Sequence, residues 1–409
     1  MNHIKENTQC LACGLTDIHT VLDLGQQPLA NSYKDSANDT ENRYPLAVRL
    51  CHNCFHLQLS HTVDPVIIYK NYLYATGTNQ TIQDYCKWFA DFCLEYCTEV
   101  TNVLDIGCND GTQLNYFKKA RNKPLHTINT YGIDPAENLY LSSSANHSVI
   151  CDFFGTDAVA ELKKVNYDII IAQNVCAHNP DPYSFITSCA ELMTDNTVLF
   201  IQTSQADMVL NNEFDTIYHE HVNFFNVNSM SKLAQRAGLN LIDTIKTPIH
   251  GNSYIFILSR IDINKNRVKN IIDLEAAYGL LNKDLYTNWE STVKTNMANL
   301  IQTIDQYRND GYTLIGYGAA AKGNTLLNFA NIKLDFIIDD NPLKQGKFTP
   351  GTNCAIVSID CLNDISSDSK ILFVPLAWNF FKEIKYRIQT VRTNSNDKFL
   401  RYFPNVEVS

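Results

Sequence analysis

Tyr218, His219, Glu220 and His221 place a phenol, two imidazoles and a carboxylate in four consecutive positions of the stretch FDTIYHEHVNFF, residues 214–225. These are the side chains that most often move protons in catalysis. In an extended backbone Tyr218 and Glu220 point one way and His219 and His221 the other, whereas a sharper turn brings three of them together. The flanking Phe214, Ile217, Val222, Phe224 and Phe225 put the stretch on or under a core. A purely structural corner, with every buried polar group hydrogen-bonded, is therefore the competing reading. One residue between the histidines excludes the HExxH spacing of zinc proteases.

Such a cluster needs a scaffold, and 409 residues suffice for two or three domains with full cores. The hydrophobic share of 45% and charged share of 19% are ordinary for a globular chain. A net charge of −10 excludes an extended nucleic-acid surface or an anionic-membrane patch, while leaving room for a phosphate-bearing small molecule. The opening MNHIKENTQC lacks a basic-then-apolar export signal, and the apolar runs are too short to span a bilayer. The expectation is a cytoplasmic protein whose thirteen cysteines are reduced thiols, some of them metal ligands.

Four of those thiols come in two CxxC pairs, Cys10/Cys13 and Cys51/Cys54. Together they match a tetrahedral structural zinc site, which leaves no open position for catalysis. Between the pairs, residues 24–31 read as a loop and 45–51 as a strand. Tyrosines at 69, 72 and 74 then lead into a Gly-Thr-Asn turn, where a small module would meet the next domain.

Residues 83–99 read as a helix, followed by an apolar strand ending in Asp105 and the turn Gly107-Cys-Asn-Asp-Gly111 into another helix. A second strand ends in Asp134. This order matches a Rossmann unit, in which glycines admit a ligand to the backbone and the acid holds ribose hydroxyls. The loop departs from GxGxxG and resembles motif I of class I S-adenosylmethionine-dependent methyltransferases. On that resemblance Asp105 and Gly107 lie by the methionine part, with Asn109 and Gly111 in the same loop, and Asp134 takes the ribose. Asp152 and Phe153 could frame an adenine. Asn174 and His178 end the fourth strand, and a fifth, residues 197–203, leads towards the Tyr–His stretch.

Residues 265–308 carry Ile271, Leu274, Ala277, Leu281 and Leu285 at helical spacing, then Leu300, Ile301 and Ile304. Beyond them TLIGYGAAAKGN and a strand ending in Asp339 and Asp340 form a second Rossmann-like half, with Lys322 at a helix start suited to phosphate. Trp378 and Asn379 end a further strand.

The zinc knuckles, YxYxxG, GxNDG, NVxAH, IYHEH, GYGAxAKG and LAWNF together resemble, over essentially the whole chain, the deoxysugar C-methyltransferase family. Its members are the C-3 methyltransferases of nucleotide-linked 4-keto-6-deoxysugars. The resemblance implies an α/β chain in three parts. These are a zinc module (residues 1–65), a class I S-adenosylmethionine methyltransferase domain (66–260) and a Rossmann-like C-terminal domain (261–409) that helps hold the sugar nucleotide. It assigns catalysis to Tyr74, His178, Tyr218, Glu220 and His221, and contacts to the substrate are expected from Tyr72, Lys322, Asn324, Trp378 and Asn379. His221 and Tyr74 both stand as candidate bases. The chain is expected to act as a monomer on its sugar nucleotide, without nucleic-acid or membrane partners. Residues 250–258, HGNSYIFIL, depart from the family's Gly-Gly-Ser-Leu-Arg pattern, which bears on sugar or nucleotide preference. A sugar-nucleotide-binding protein without turnover, and an NAD-dependent oxidoreductase using Asp339 for a ribose, are the competing functions.

Overall fold

A computed structural model describes residues 3–69, 76–78, 80–97, 99–120, 127–204, 207–249 and 252–409. Tyr72 and Tyr74, as well as His250 and Gly251, lie outside the described residues.

In the N-terminal module β1 (Ile4–Glu6) pairs with β5 (His61–Val63), while β2 (Ile18–Pro28), β3 (Arg43–Cys51) and β4 (Leu57–Leu59) form an antiparallel meander. β2 runs through residues 24–28, which read as loop in the sequence. Its register against β3 shifts between Thr20 and Leu22 and again between Asp23 and Gln26. Those irregularities break the alternation by which a strand is recognised. A short helix α1 (Pro65–Tyr69) leaves the module.

The next part opens with a 3-10 turn at Thr76–Thr78 and α2 (Gln80–Tyr96), then alternates strand and helix. The elements are β6 (Asn102–Ile106), α3 (Thr112–Lys119), β7 (Asn129–Ile133), α4 (Glu137–Ser144), β8 (Ser148–Ile150), α5 (Thr156–Leu162), β9 (Ile169–Gln173), α6 (Pro182–Leu192) and β10 (Val198–Ser204). β11 (Asn223–Phe224), α7 (Val227–Arg236), β12 (Asn240–Thr247) and β13 (Ser253–Ser259) complete it. The seven-stranded sheet has the order β12-β13-β10-β9-β6-β7-β8 and is parallel except for β13, which runs against both neighbours. This is the class I methyltransferase arrangement. Its central strands are covered on both faces, so they are nearly continuous apolar runs such as Ile169–Gln173. β11 does not join this sheet. It pairs antiparallel with β4 and extends the N-terminal meander, so the residues just after the Tyr–His cluster belong to the cysteine-bearing module's sheet.

Two helices, α8 (Lys265–Ala277) and α9 (Lys283–Asn309), lead to the C-terminal part. α8 differs from its apolar pattern, because Leu274 is exposed and the buried residues are Val268 and Glu275. The Glu275 carboxylate accepts the backbone N–H groups of Val227 (2.8 Å) and Asn228 (3.1 Å) at the start of α7, so a charge at a helix N-terminus anchors α8. The last six strands are β14 (Thr313–Tyr317), β15 (Phe336–Ile338), β16 (Ile356–Val357), β17 (Ile371–Pro375), β18 (Lys398–Arg401) and β19 (Glu407–Val408). Their order is β16-β15-β14-β17-β18-β19, with α10 (Ala321–Phe329) and α11 (Phe381–Val391) as crossovers; only β19 runs antiparallel. It is a second Rossmann-like sheet.

One apolar core joins N-terminal strand residues Leu22, Leu46 and Val48 to Trp289 of α9 and Leu326 of α10. Phe214 and Ile217 sit in that core, which fixes the backbone entering the Tyr–His turn.

Candidate active site

A cleft of ≈ 380 Å³ opens at the carboxyl ends of β6, β7 and β9, where open parallel sheets place their ligands. Asp105, Gly107, Asn109, Asp134, Phe153, Asn174 and His178 all line it. At Gly107 φ is +79°, and a Cβ there would lie 2.4 Å from the Val175 side chain, so any side chain here would strain the backbone and displace Val175. Asp134 accepts the N–H of Asn109 (2.8 Å) and of Ala136 (2.8 Å), which ties the end of β7 to the glycine loop. Asn109 Oδ1 in turn accepts from Thr76 N–H (2.9 Å), and Asp110 from Gly77 N–H (2.7 Å), fastening the segment before α2 over the loop.

The wall is rich in acceptors. Asp105 is buried, and burial with the nearby charges of Asp134 and Asp110 pushes its carboxyl up to about 8. Burial raises Asp134 as well. The buried Asn174 Oδ1 and Gln113 Oε1 have no hydrogen-bond partner among the described residues. Carboxylates and carbonyls aimed into one cleft suit a ligand bearing an ammonium, a sulfonium and ribose hydroxyls, as S-adenosylmethionine does. Gln113 and Gln202 also line the cleft and escaped the sequence reading. The signal for Gln113 is its place in the first turn of the helix after the glycine loop. Gly111 and Asp152 stand back from the cleft. Gly111 turns the chain into α3 against Ser143 and His147, and the exposed Asp152 accepts from Phe153 N–H.

The Tyr–His stretch makes the sharper of its two possible turns, closed by His221 N–H donating to Tyr218 O (2.9 Å). Tyr218 Oη and His221 Nε2 then lie 2.8 Å apart, and His221 Nδ1 lies 2.8 Å from Thr216 O. A carbonyl only accepts, so Nδ1 carries the proton and the Nε2 of a neutral ring accepts from the phenol. His178 packs edge-on against His221, ring centroids 4.9 Å apart. Burial lowers the pKa of His178 to about 4, which keeps it neutral. Glu220 turns away towards the N-terminal module, where Asn31 Nδ2 donates to it (2.6 Å), and burial pushes its carboxyl up to about 7. His219 is buried beside Tyr44, with Nε2 3.3 Å from the Tyr44 carbonyl. Thus the turn gathers Tyr218, His221 and His178 and separates His219 from them. Asn31 carries no local signal of its part, since it lies 189 residues from Glu220.

The four cysteines of the two pairs converge, with Sγ–Sγ distances of 3.6 Å for both Cys10–Cys54 and Cys13–Cys51. A tetrahedral zinc with bonds of ~2.3 Å has sulfur–sulfur edges of ~3.8 Å, so these four residues fit the ion. Each knuckle closes with the residue after its second cysteine at positive φ, Gly14 at 80° and Phe55 at 57°.

The C-terminal candidates lie at joints between parts of the chain. Asn324 Nδ2 donates to Ala30 O (2.7 Å) and Trp378 Nε1 to the buried Asp215 (2.8 Å), while Lys322 Nζ stands 5.3 Å over the Trp378 ring. Asn379 is exposed. Asp339 occupies the place that Asp134 has in the other sheet and likewise accepts from its turn, Ala319 N–H (2.7 Å). Here, however, Lys344 Nζ and Tyr33 Oη both donate to Ala319 O and cover the turn. Lys344 Nζ also stands 3.7 Å from Asp339 Oδ2, the carboxylate to which the competing NAD reading gives the ribose.

Three family models match successive parts of the chain: a zinc binding domain over residues 10–69, a methyltransferase domain over 79–244 and a C-methyltransferase C-terminal domain over 248–404. C-methyltransferase NovU of Streptomyces niveus is 26% identical over 395 residues, covering 93% of this chain and 92% of that protein. A ubiquinone biosynthesis O-methyltransferase of Glaesserella parasuis serovar 5 is 33% identical over 127 residues, 27% of this chain and 50% of that protein. Among solved structures, magnesium protoporphyrin IX methyltransferase (ChlM) of Synechocystis PCC 6803 with bound SAH aligns at TM-score 0.34 and 15% identity, covering 48% of this chain and 92% of that one.

Proposed function

We propose, from the premise that this chain belongs to the S-adenosylmethionine-dependent C-methyltransferase family, that it methylates C3 of a nucleotide-linked 4-keto-6-deoxysugar through an enolate. The observation that carries the reading is the meeting of His178, in the cleft wall, with the Tyr218–His221 pair. A carbon beside a ketone becomes a nucleophile only after losing a proton, so a base and an enolate-stabilising donor must stand where the methyl is delivered. Bound S-adenosylmethionine supplies the electrophilic methyl, and Asp105, Gly107, Asn109, Asp134, Phe153 and Asn174 would hold it.

In this proposal the C3 proton passes to the Tyr218 oxygen as the phenol proton passes to His221 Nε2. The neutral imidazole of His178 donates to the enolate oxygen, and Glu220, held by Asn31, orients the turn that carries the Tyr218–His221 pair. Zinc at the four thiolates organises the N-terminal sheet, and the enzyme works as a monomer in the cytoplasm. The resemblance named from the motifs, not the relatives' names, supplies the sugar.

Incubation with S-adenosylmethionine and a panel of 4-keto-6-deoxysugar nucleotides should yield a product heavier by one methylene, read by mass. A panel that gives no product overturns the assigned reaction. Without the methyl donor, solvent deuterium should enter C3, and His221→Asn should slow that entry by about 10²–10⁴-fold. An unchanged rate would remove His221 from the proton path.

A further inference from the structure

The knuckle at Cys51 and Cys54 and the loop carrying His178 are tied by a buried polar chain. His56 and Asn223 are each 0% exposed. His56 Nε2 lies 3.1 Å from Asn223 Oδ1, and Asn223 Nδ2 donates to Asn179 O at 2.8 Å. Because the Asn179 carbonyl can only accept, the amide nitrogen must face it, the amide oxygen must face His56, and His56 Nε2 must carry the proton. At the other end, the His56 carbonyl accepts from Cys51 N–H (2.9 Å). The stretch that carries Asn223, residues 222–228, is bonded to each of these two segments again. Val222 N–H donates to Ala177 O (2.9 Å), Asn226 Nδ2 to Phe55 O (2.7 Å) and Asn228 Nδ2 to Cys54 O (2.9 Å).

We propose that Asn223 is a positioning residue that hangs the His178 loop from the cysteine knuckle, so that the four-thiolate site sets the approach of His178 to His221. The proposal rests on the reading that this histidine pair serves the methyl acceptor. A buried amide that donates to one segment and accepts from another locks both only while each of its bonds is made, since an unmet buried group is costly. Residues 51–56 take their shape from a knuckle that a metal closes. Through His56 and Asn223 that shape reaches the carbonyl next to His178.

The test uses the zinc-loaded full chain. Asn223→Asp keeps size and the acceptor for His56 but sets a carboxylate against the Asn179 carbonyl. His56→Leu removes the donor, and His56→Gln keeps a side-chain N–H there. Asn223→Asp and His56→Leu should lower kcat and C3 deuterium entry about a hundredfold, the scale of a misplaced catalytic group. Affinity for S-adenosylmethionine, measured by calorimetry, should hold, and the ring nitrogen NMR signals of His178 should shift. His56→Gln should recover most of the loss. Wild-type turnover and unshifted His178 signals in Asn223→Asp would overturn the proposal, as would a His56→Gln enzyme no better than His56→Leu. If Asn223→Asp does not fold, the two His56 variants decide. If the wild-type enzyme methylates no sugar of the panel, the functional reading fails, while the His178 signals still decide this one.

Discussion

Asp105 shows how much one buried carboxyl can set. Its folded-state value, about 8, stands far above the ordinary 3.8 because burial and the charges of Asp134 and Asp110 oppose ionisation. The stability contributed by its proton is complete below 3.8 and is lost as pH rises through about 8. Glu213 and Glu220, each pushed by burial to about 7, add the same sign. The ligand-free chain should therefore lose stability over that window, by up to ~1.4 kcal/mol per pH unit for each fully ionising group. Asp105→Asn should flatten part of the slope in chemical denaturation followed at several pH values. A sulfonium bound nearby favours the charged carboxylate, so affinity for S-adenosylmethionine should rise with pH up to about 8 in the wild type and lose that rise in Asp105→Asn. Calorimetry on both proteins checks this. Tyr218 and His221 make a different point: their chemistry is written in the chain, but the identity of the working histidine is not. His219 and His221 have the same side chain, and the turn alone sends one to Tyr44 and the other to Tyr218.

The strand–turn–helix from β6 to α3 is the most legible piece of the molecule. A strand ending in a carboxylate, a glycine at positive φ and a helix start are all local, so residues 103–114 nearly suffice to specify them. The packing that favours glycine at 107 is not local, since Val175 comes from the loop after β9. Gly107→Ala should strain the backbone and push Val175, costing about 1–3 kcal/mol in stability, with a marked loss of S-adenosylmethionine binding. Denaturant titration and calorimetry measure both; a variant that binds as the wild type does would show that the loop can relax. By contrast β11 has two residues, too few for any periodicity to announce, yet it carries the chain from the Tyr–His turn into the N-terminal sheet.

The three parts of the chain meet through polar groups that the sequence reading assigned to substrate. Trp378 Nε1 donates to Asp215, whose carboxylate is wholly buried and has one oxygen without a partner among the described residues. Trp378→Phe should leave both oxygens poorly met and cost about 1–3 kcal/mol. The cleft is lined by other elements, so S-adenosylmethionine affinity should persist. A lowered midpoint in chemical denaturation together with unchanged calorimetry would establish the joint. Equal stability of the two proteins would mean that Trp378 is free for another partner.

By itself the sequence determined the two cysteine knuckles, the alternation of strands and helices, the glycine loop with Asp105 and Asp134, and the stock of proton-carrying groups in residues 218–221. All of these depend on neighbours a few residues away, where spacing and side-chain chemistry govern. Only the tertiary structure decided that Glu220 meets Asn31, that His178 meets His221, that His56 and Asn223 link the knuckle to the His178 loop, and that Lys344 and Tyr33 cover the second glycine turn. Those contacts join residues far apart in the chain. They form because buried polar groups must find partners wherever the shared core has already brought the backbone together.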